Sequence, residues 1–268
     1  MSEQLVFGRL VTSLSPWLAQ LVFVGGWAFR LYRLHPQANL PAYRPVATLD
    51  ADVAFAEGEH LEGNIRARLL DTGFVENLMG NHRPPVSQYT LVDDASGFYA
   101  EFLTPLKGSA RRRNGDPIAT VAKAGVTAQR LRHLDLLLEA PWQVTLDADW
   151  GVAPDTPVRV PNPASFITQR LLIHEQRPPN KKAQDILYVH DTLELFGAQL
   201  DALSRLWRDT LAPTLHARQQ RALLQAIDTI FGRVDDRIRD AAAIAADREL
   251  DPERMRQMCR MALGDMLE

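Results

Sequence analysis

Leu21-Val22-Phe23-Val24-Gly25-Gly26-Trp27-Ala28 and Thr48-Leu49-Asp50-Ala51-Asp52-Val53-Ala54-Phe55 are the stretches whose reading decides the fold. Side chains two apart on a strand leave the same face, so a strand through the second stretch sets Asp50 beside Asp52 and turns Leu49, Ala51 and Val53 away. Two close carboxylates repel each other. Such a pair either shifts its pKa upward or takes up a cation, and hard oxygen ligands suit magnesium or manganese, with a substrate phosphate completing the shell. In the first stretch, Leu21 to Val24 reads as an apolar strand and about Trp27 to Leu34 as a helix. Glycines at that junction let the backbone approach a ligand closely, and the helix N-terminus offers free amides and a partial positive charge to a triphosphate. Arg30 and Arg33 lie near one face of the same helix and add charge there.

A third carboxylate would help to hold a metal pair. Gln88-Tyr89-Thr90-Leu91-Val92 and Gly97-Phe98-Tyr99-Ala100-Glu101-Phe102-Leu103, separated by the turn-rich Asp93 to Gly97, read as a β-hairpin. Glu101 is the acidic residue inside these runs, and a charge in an otherwise apolar strand needs a partner to offset its desolvation. A cation is one such partner; an arginine is another.

With these residues the chain resembles the DNA polymerase β-like nucleotidyltransferase superfamily, which has a Gly-Gly or Gly-Ser turn, an Asp-x-Asp strand and a later carboxylate strand. Within it, the chain is most similar to the bacterial group that includes AbiEii-type toxins and related stand-alone nucleotidyltransferases. Tyr99-Ala100-Glu101-Phe102-Leu103-Thr104-Pro105 is similar to that group's third-acid strand, Val158 to Phe166 to its strand-to-helix junction, and Lys181-Lys182-Ala183-Gln184-Asp185 to its Lys/Arg-Asp helix. The likeness runs from about Leu21 to Asp191. It implies transfer of a nucleoside monophosphate from an NTP to an acceptor hydroxyl of RNA or protein, with ATP among the candidate nucleotides. Asp50, Asp52 and Glu101 are then the catalytic and metal-binding residues, the cofactor is Mg2+ or Mn2+, and Gly25, Gly26, Arg30, Arg170 and Lys182 contact the nucleotide. It also implies a toxin of a toxin-antitoxin or phage-defence pair, with a cognate antitoxin as partner. Three departures stand out: Trp27 where the family often has Ser or Thr, the insert His35 to Ala47, and Glu101 in place of Asp.

Each motif has a plainer reading. Asp-x-Asp also occurs at solvated strand edges, Gly-Gly is commonly a turn, and Arg170 with Asp185 reads equally as an ion pair between helices. Lys107 to Arg132 holds Lys107, Arg111, Arg112, Arg113, Lys123, Arg130 and Arg132 against the single acid Asp116. That run is either a solvated face or a contact for triphosphate or RNA. The aromatic content of 7% offers bases few stacking platforms, and no DNA contact is expected. Two rivals follow: a non-catalytic binding protein that keeps the fold, and a small-molecule nucleotidyltransferase of the antibiotic-modifying kind.

The remaining chemistry is bounded by composition. Cys259 is the only cysteine, which excludes an intrachain disulfide and a cysteine-rich zinc site. The 7 histidines show no metal-ligand spacing, and Gly-x-Ser-x-Gly is absent. Leu10 to Phe29 lacks charge, but its Thr, Ser, Pro, Gln and Gly residues, with Glu3 and Arg9 in the segment before it, fit neither a spanning helix nor a secretory signal, so a cytoplasmic protein without membrane contact is expected. A chain of 268 residues, 46% hydrophobic, with formal charge −3 is that of an ordinary globular protein.

The expected architecture is α+β: a nucleotidyltransferase fold with a mixed sheet flanked by helices at residues 1–162, then an all-helical C-terminal domain at 163–268. Helices are expected at 3–20 with a break at Pro16, at Leu61 to Thr72, and at Gln129 to Leu138. Short strands are expected at Trp142 to Leu146 and Val158 to Val160, followed by helices at Ala164 to Glu175, Ala183 to Thr210, Pro213 to Ile230, Val234 to Arg248, and beyond the N-cap Asp251.

Overall fold

The computed structural model describes residues 2–81, 83–94, 96–109 and 119–267. Arg111 to Arg113 and the rest of 110–118 lie outside the described residues. The chain divides into two compact units, Met1–His35 with Ala47–Pro161, and Pro36–Val46 with Asn162–Glu268.

In the first unit the order is α1 (Glu3–Ser13), β1 (Val22–Val24), α2 (Gly25–Leu31), β2 (Asp50–Ala54), α3 (Ile65–Asp71), β3 (Phe74–Met79), β4 (Val86–Leu91), β5 (Tyr99–Pro105), β6 (Thr120–Lys123), β7 (Val126–Leu131), β8 (Trp142–Leu146) and β9 (Thr156–Val160). The main sheet runs β1-β2-β5-β4-β3, and β7 pairs with both β5 and β6. It is mixed: β2 and β5 are parallel, as are β5 and β7, while the other pairings are antiparallel. β8 and β9 form a separate antiparallel pair.

The alternation of burial along the strands separates two sheet faces. Ala51, Val53, Ala100, Phe102 and Tyr89 are fully buried, whereas Asp50, Asp52, Tyr99, Glu101, Gln88 and Thr90 on the opposite face are half-buried. Toward its other end that second face becomes apolar. Val22, Val24, Ala54 and Leu103 meet Leu134 and Leu137 there, so the polar residues crown a small apolar cluster.

Aromatic residues from α1, β1 and α2 fill the core near the glycine turn. Trp27 is fully buried, stacked on Phe7 at 4.1 Å and 13°, and edge-on to Phe98 and Trp150. Aromatic pairs of this kind contribute about 0.5–1.5 kcal/mol each beyond the area they bury.

In the second unit the elements are α4 (Pro163–Ile173), α5 (Pro179–Leu195), α6 (Leu200–Leu206), α7 (Ala217–Phe231), α8 (Asp236–Ile244) and α9 (Pro252–Leu267). α5 packs on α4, α8 and α9. Residues of the 36–46 segment are held here: Asn39 N–H donates to the Leu195 carbonyl at 2.8 Å, and the Arg248 guanidinium lies 3.4 Å over the Tyr43 ring. Among the described residues no helix is long and apolar enough to cross a membrane.

Several expected elements differ. The Gln129 to Leu138 helix is instead the end of β7 followed by a 3-10 turn at Asp135–Leu138, because His133 adopts φ 60° and breaks any helical path. α3 starts at Ile65 and not Leu61: Gly63 has φ 82°, and the Asn64 side chain caps the helix by accepting from Ala67 N–H. The single helix expected from Ala183 to Thr210 is interrupted around Gly197. β3, β6 and the hairpin turn between β6 and β7 had no counterpart in the sequence reading.

His174, just beyond α4, is 1% exposed, and burial holds its pKa below the ordinary 6.5. Above that value the imidazole is neutral in folded and unfolded chains alike. Below it the unfolded chain takes up a proton that the folded one resists, so stability falls as pH drops. The melting temperature is expected to decline between pH 7 and pH 5, and a His174→Leu variant to show a shallower decline in the same thermal titration.

Candidate active site

The ladder between β1 and β2 brings the two motifs together. Val24 pairs with Asp52, so Gly25, the next residue, begins α2 directly beside the second aspartate. Gly25 has φ 66°, a conformation that disfavours every residue with a Cβ. A Cβ there would also overlap Asp52 Oδ2 and stand 3.2 Å from its Cγ. A Cβ on Gly26 would sit 2.8 Å from Thr48 Oγ1 and 2.9 Å from both its Cβ and Cγ2. Both glycines are thus required by the strand that carries the acids.

The parallel β2–β5 register sets Asp50 opposite Tyr99 and Asp52 opposite Glu101. Across β4, Gln88 pairs with Glu101, and its Nε2 donates to Glu101 Oε1 at 3.1 Å. The Thr48 hydroxyl donates to Asp50 Oδ1. Burial raises the Glu101 pKa, the Gln88 amide opposes this by favouring the ionised form, and the negative charge of Asp50 raises it further. Tyr99 is pushed up to about 12, first by burial and then by the charges of Asp50, Glu101 and Asp52. The face therefore carries three carboxylates, with Asp52 set against the glycine turn. That donor set suits a hard divalent cation, and the absence of a Cβ at Gly25 leaves Asp52 Oδ2 accessible from the turn.

The three acids are not drawn as close as a filled metal site requires. Among the described residues, the group of three ligand-type side chains with atoms within 4.8 Å of one another is His190, Asp191 and Glu194, in the helical unit. There Arg248 binds Asp191 through both carboxylate oxygens, at 2.6 and 2.5 Å, His190 Nδ1 lies 2.8 Å from Asp191, and Tyr43 donates to Glu194 at 2.5 Å. The guanidinium neutralises the acids that a cation would need.

The cations expected at the nucleotide have carboxylate partners of their own. Arg30 pairs with Glu3 and lies 4.4 Å over the Trp27 ring. Arg170 is buried, donates to Asp185 at 2.6 Å, and shares that acid with Arg177 at 3.0 Å. Lys182 meets Glu175 at 3.3 Å. In the basic stretch, Lys123 donates to the Glu57 carbonyl at 2.6 Å and Arg130 pairs with the Glu57 carboxylate. Trp27 buries its indole in the core against Phe7, Phe98 and Trp150. Thr48, Gln88 and Tyr99 were not singled out from sequence; their positions two residues from an acid, or opposite one in a predicted hairpin, were the available signal.

A family description of nucleotidyltransferases matches residues 7–212, well over half of the chain. The chain belongs to the nucleotidyltransferase family. The match begins ahead of β1 and takes in both sequence motifs, the whole sheet and the helices through α6. Among solved structures, this nucleotidyltransferase is similar to MenT4, a nucleotidyltransferase toxin from Mycobacterium tuberculosis H37Rv, at 14% identity, over 99% of this chain and 92% of that one, with a TM-score of 0.35. No curated protein matches it.

Gly25→Ala is expected to cost about 1–2 kcal/mol from the left-handed backbone alone, plus the displacement of Asp52, and to lower thermal stability measurably. Arg170→Ala leaves Asp185 buried with Arg177 still beside it; a loss of about 1–3 kcal/mol in urea unfolding is expected, that of a charge-assisted hydrogen bond and less than for an acid left wholly unpaired.

Proposed function

We propose that this protein transfers a nucleoside monophosphate from an NTP to a hydroxyl of an RNA or protein acceptor, with Asp50, Asp52 and Glu101 as its catalytic carboxylates. The observation that carries the reading is the fit of the glycine turn to the acids: Gly25 has no room for a Cβ because Asp52 occupies that space, and Gly26 has none because of Thr48. A triphosphate cradle and a metal-binding strand must be held this close for one ligand to touch both.

In this reading Gly25 and Gly26 receive the triphosphate through the backbone, and the three carboxylates hold Mg2+ or Mn2+. The metal supplies charge neutralisation for the phosphates and lowers the pKa of the acceptor hydroxyl. The acceptor oxygen bonds to the α-phosphorus, the bond from that phosphorus to the β-phosphate oxygen breaks, and pyrophosphate leaves. Glu101 would hold the metal that activates the acceptor hydroxyl, or take that hydroxyl's proton. Arg30, Arg170 and Lys182 already have carboxylate partners, so contact with the nucleotide would require them to exchange one anion for another. The toxin role, the cognate antitoxin, a part in phage defence and a cytoplasmic location enter the proposal from the resemblance in the sequence. The domain division at residue 162 also stands as a proposal, with catalysis assigned to the first part.

A second reading is favoured by one observation, that the carboxylate oxygens of Asp50, Asp52 and Glu101 do not all lie within 4.8 Å of one another. It is a non-catalytic binding protein built on the same fold. Incubation with each α-labelled NTP, Mg2+ or Mn2+, and cellular RNA and protein separates the two. Label is expected on one acceptor class, falling by about 10²- to 10³-fold or more in Asp50→Ala/Asp52→Ala. A folded protein that labels nothing with any nucleotide would favour the binder.

A further inference from the structure

Thr48 is the second residue after the chain returns from the 36–46 segment to the sheet unit, and it is 7% exposed. Two independent contacts define it. Its hydroxyl donates to Asp50 Oδ1, and its Cβ, Cγ2 and Oγ1 all stand within 2.9 Å of the place a Gly26 Cβ would take. One face of this small side chain therefore lies on the glycine turn while its polar atom holds the first acid.

The chemistry of the site gives that arrangement a purpose. Asp50 faces Tyr99 across the ladder and feels Glu101 on the same sheet face. A carboxylate among like charges turns away from them unless something fixes its rotamer. A hydroxyl bonded to one oxygen fixes it and leaves the other oxygen directed by that bond. Because the same side chain packs on Gly26, the position of Asp50 is tied to the position of the turn.

We propose that Thr48 is a positioning residue that sets the first metal-binding carboxylate in register with the glycine turn, acting through Asp50. The inference rests on the proposed function, since it gives Asp50 a metal to hold. A β-branched hydroxyl residue meets both demands: valine keeps the packing without the donor, and serine keeps the donor without the methyl group.

The test uses the full chain and two readouts, Mn2+ binding followed by the electron paramagnetic resonance signal of the free ion, and NMP transfer with kcat and KM for the NTP separated. Thr48→Val is expected to weaken Mn2+ by roughly 10-fold or more and to lower kcat by a similar factor, as loss of a partner behind a metal ligand does. Thr48→Ser is expected to recover most of both. Melting temperatures accompany each variant; if the valine variant does not fold, Thr48→Ala, which also lacks the hydroxyl and adds no bulk, takes its place. Wild-type Mn2+ affinity and kcat in the variant lacking the hydroxyl overturn the inference. So does a serine variant that loses as much as the valine one, because packing alone would then account for Thr48. Asp50→Ala separates the two levels: if it binds Mn2+ and transfers NMP like wild type, the proposed site fails, whereas its loss beside an unaffected Thr48→Val sinks only the role of Thr48.

Discussion

The antiparallel ladder between β1 and β2 is the constraint on which the rest of the site depends. It pairs Val24 with Asp52, and this register places the following glycine against the aspartate side chain. A shift by one residue would turn Asp50 and Asp52 into the face occupied by Phe23, Val53 and Phe102, where unpaired charge is costly. The apolar cluster of Val22, Val24, Ala54 and Leu103 under Leu134 and Leu137 pins the register from the same face that carries the acids. Packing and charge thus select one pairing together.

Much of this was readable because its signals are local. The two-residue period at Asp50 and Asp52, the glycine pair at a strand end and the alternating hairpin runs each announce their own geometry, and the mixed sheet followed by helices was expected. What escaped depended on contacts distant in sequence or on single backbone angles. Leu131, Leu134, Leu137 and Leu138 have helical spacing, yet the left-handed His133 interrupts them, and Leu134 and Leu137 join the strand cluster with Leu131 and Leu138 packed against it. β3 was missed because its burial does not alternate cleanly: Val75, Leu78 and Met79 are exposed at the sheet edge. Of the site, the acids and glycines were legible, while Thr48 and Gln88 were not, since a hydrogen bond to a carboxylate leaves no pattern in composition.

The departures from the family pattern acquire physical explanations. Trp27 follows the glycines but belongs to the aromatic core with Phe7, Phe98 and Trp150, so its bulk is accounted for by packing. The insert between the helix and the Asp strand is anchored among helices, with Tyr43 between Arg248 and Glu194. In that network the buried Asp191 takes both hydrogen bonds from Arg248. A buried acid so satisfied anchors a segment well and binds a metal poorly, because a cation would have to displace a guanidinium already making charge-assisted bonds.

Charge arithmetic connects these points to the proposed chemistry. A triphosphate carries several negative charges, and the proposed cradle would set it beside three carboxylates. At about 4 Å and an effective dielectric near 20, each like-charge pair costs about 4 kcal/mol. Backbone amides with their partial charges do not offset a sum of that size, and Arg30, Arg170 and Lys182 are each engaged by a carboxylate. Under the proposed function, then, nucleotide and divalent cation must enter together: the acids that repel the triphosphate alone attract it once the metal is bound. The Glu101 pKa is raised first by burial and then by the charge of Asp50, and a bound cation would act against both by favouring the ionised form.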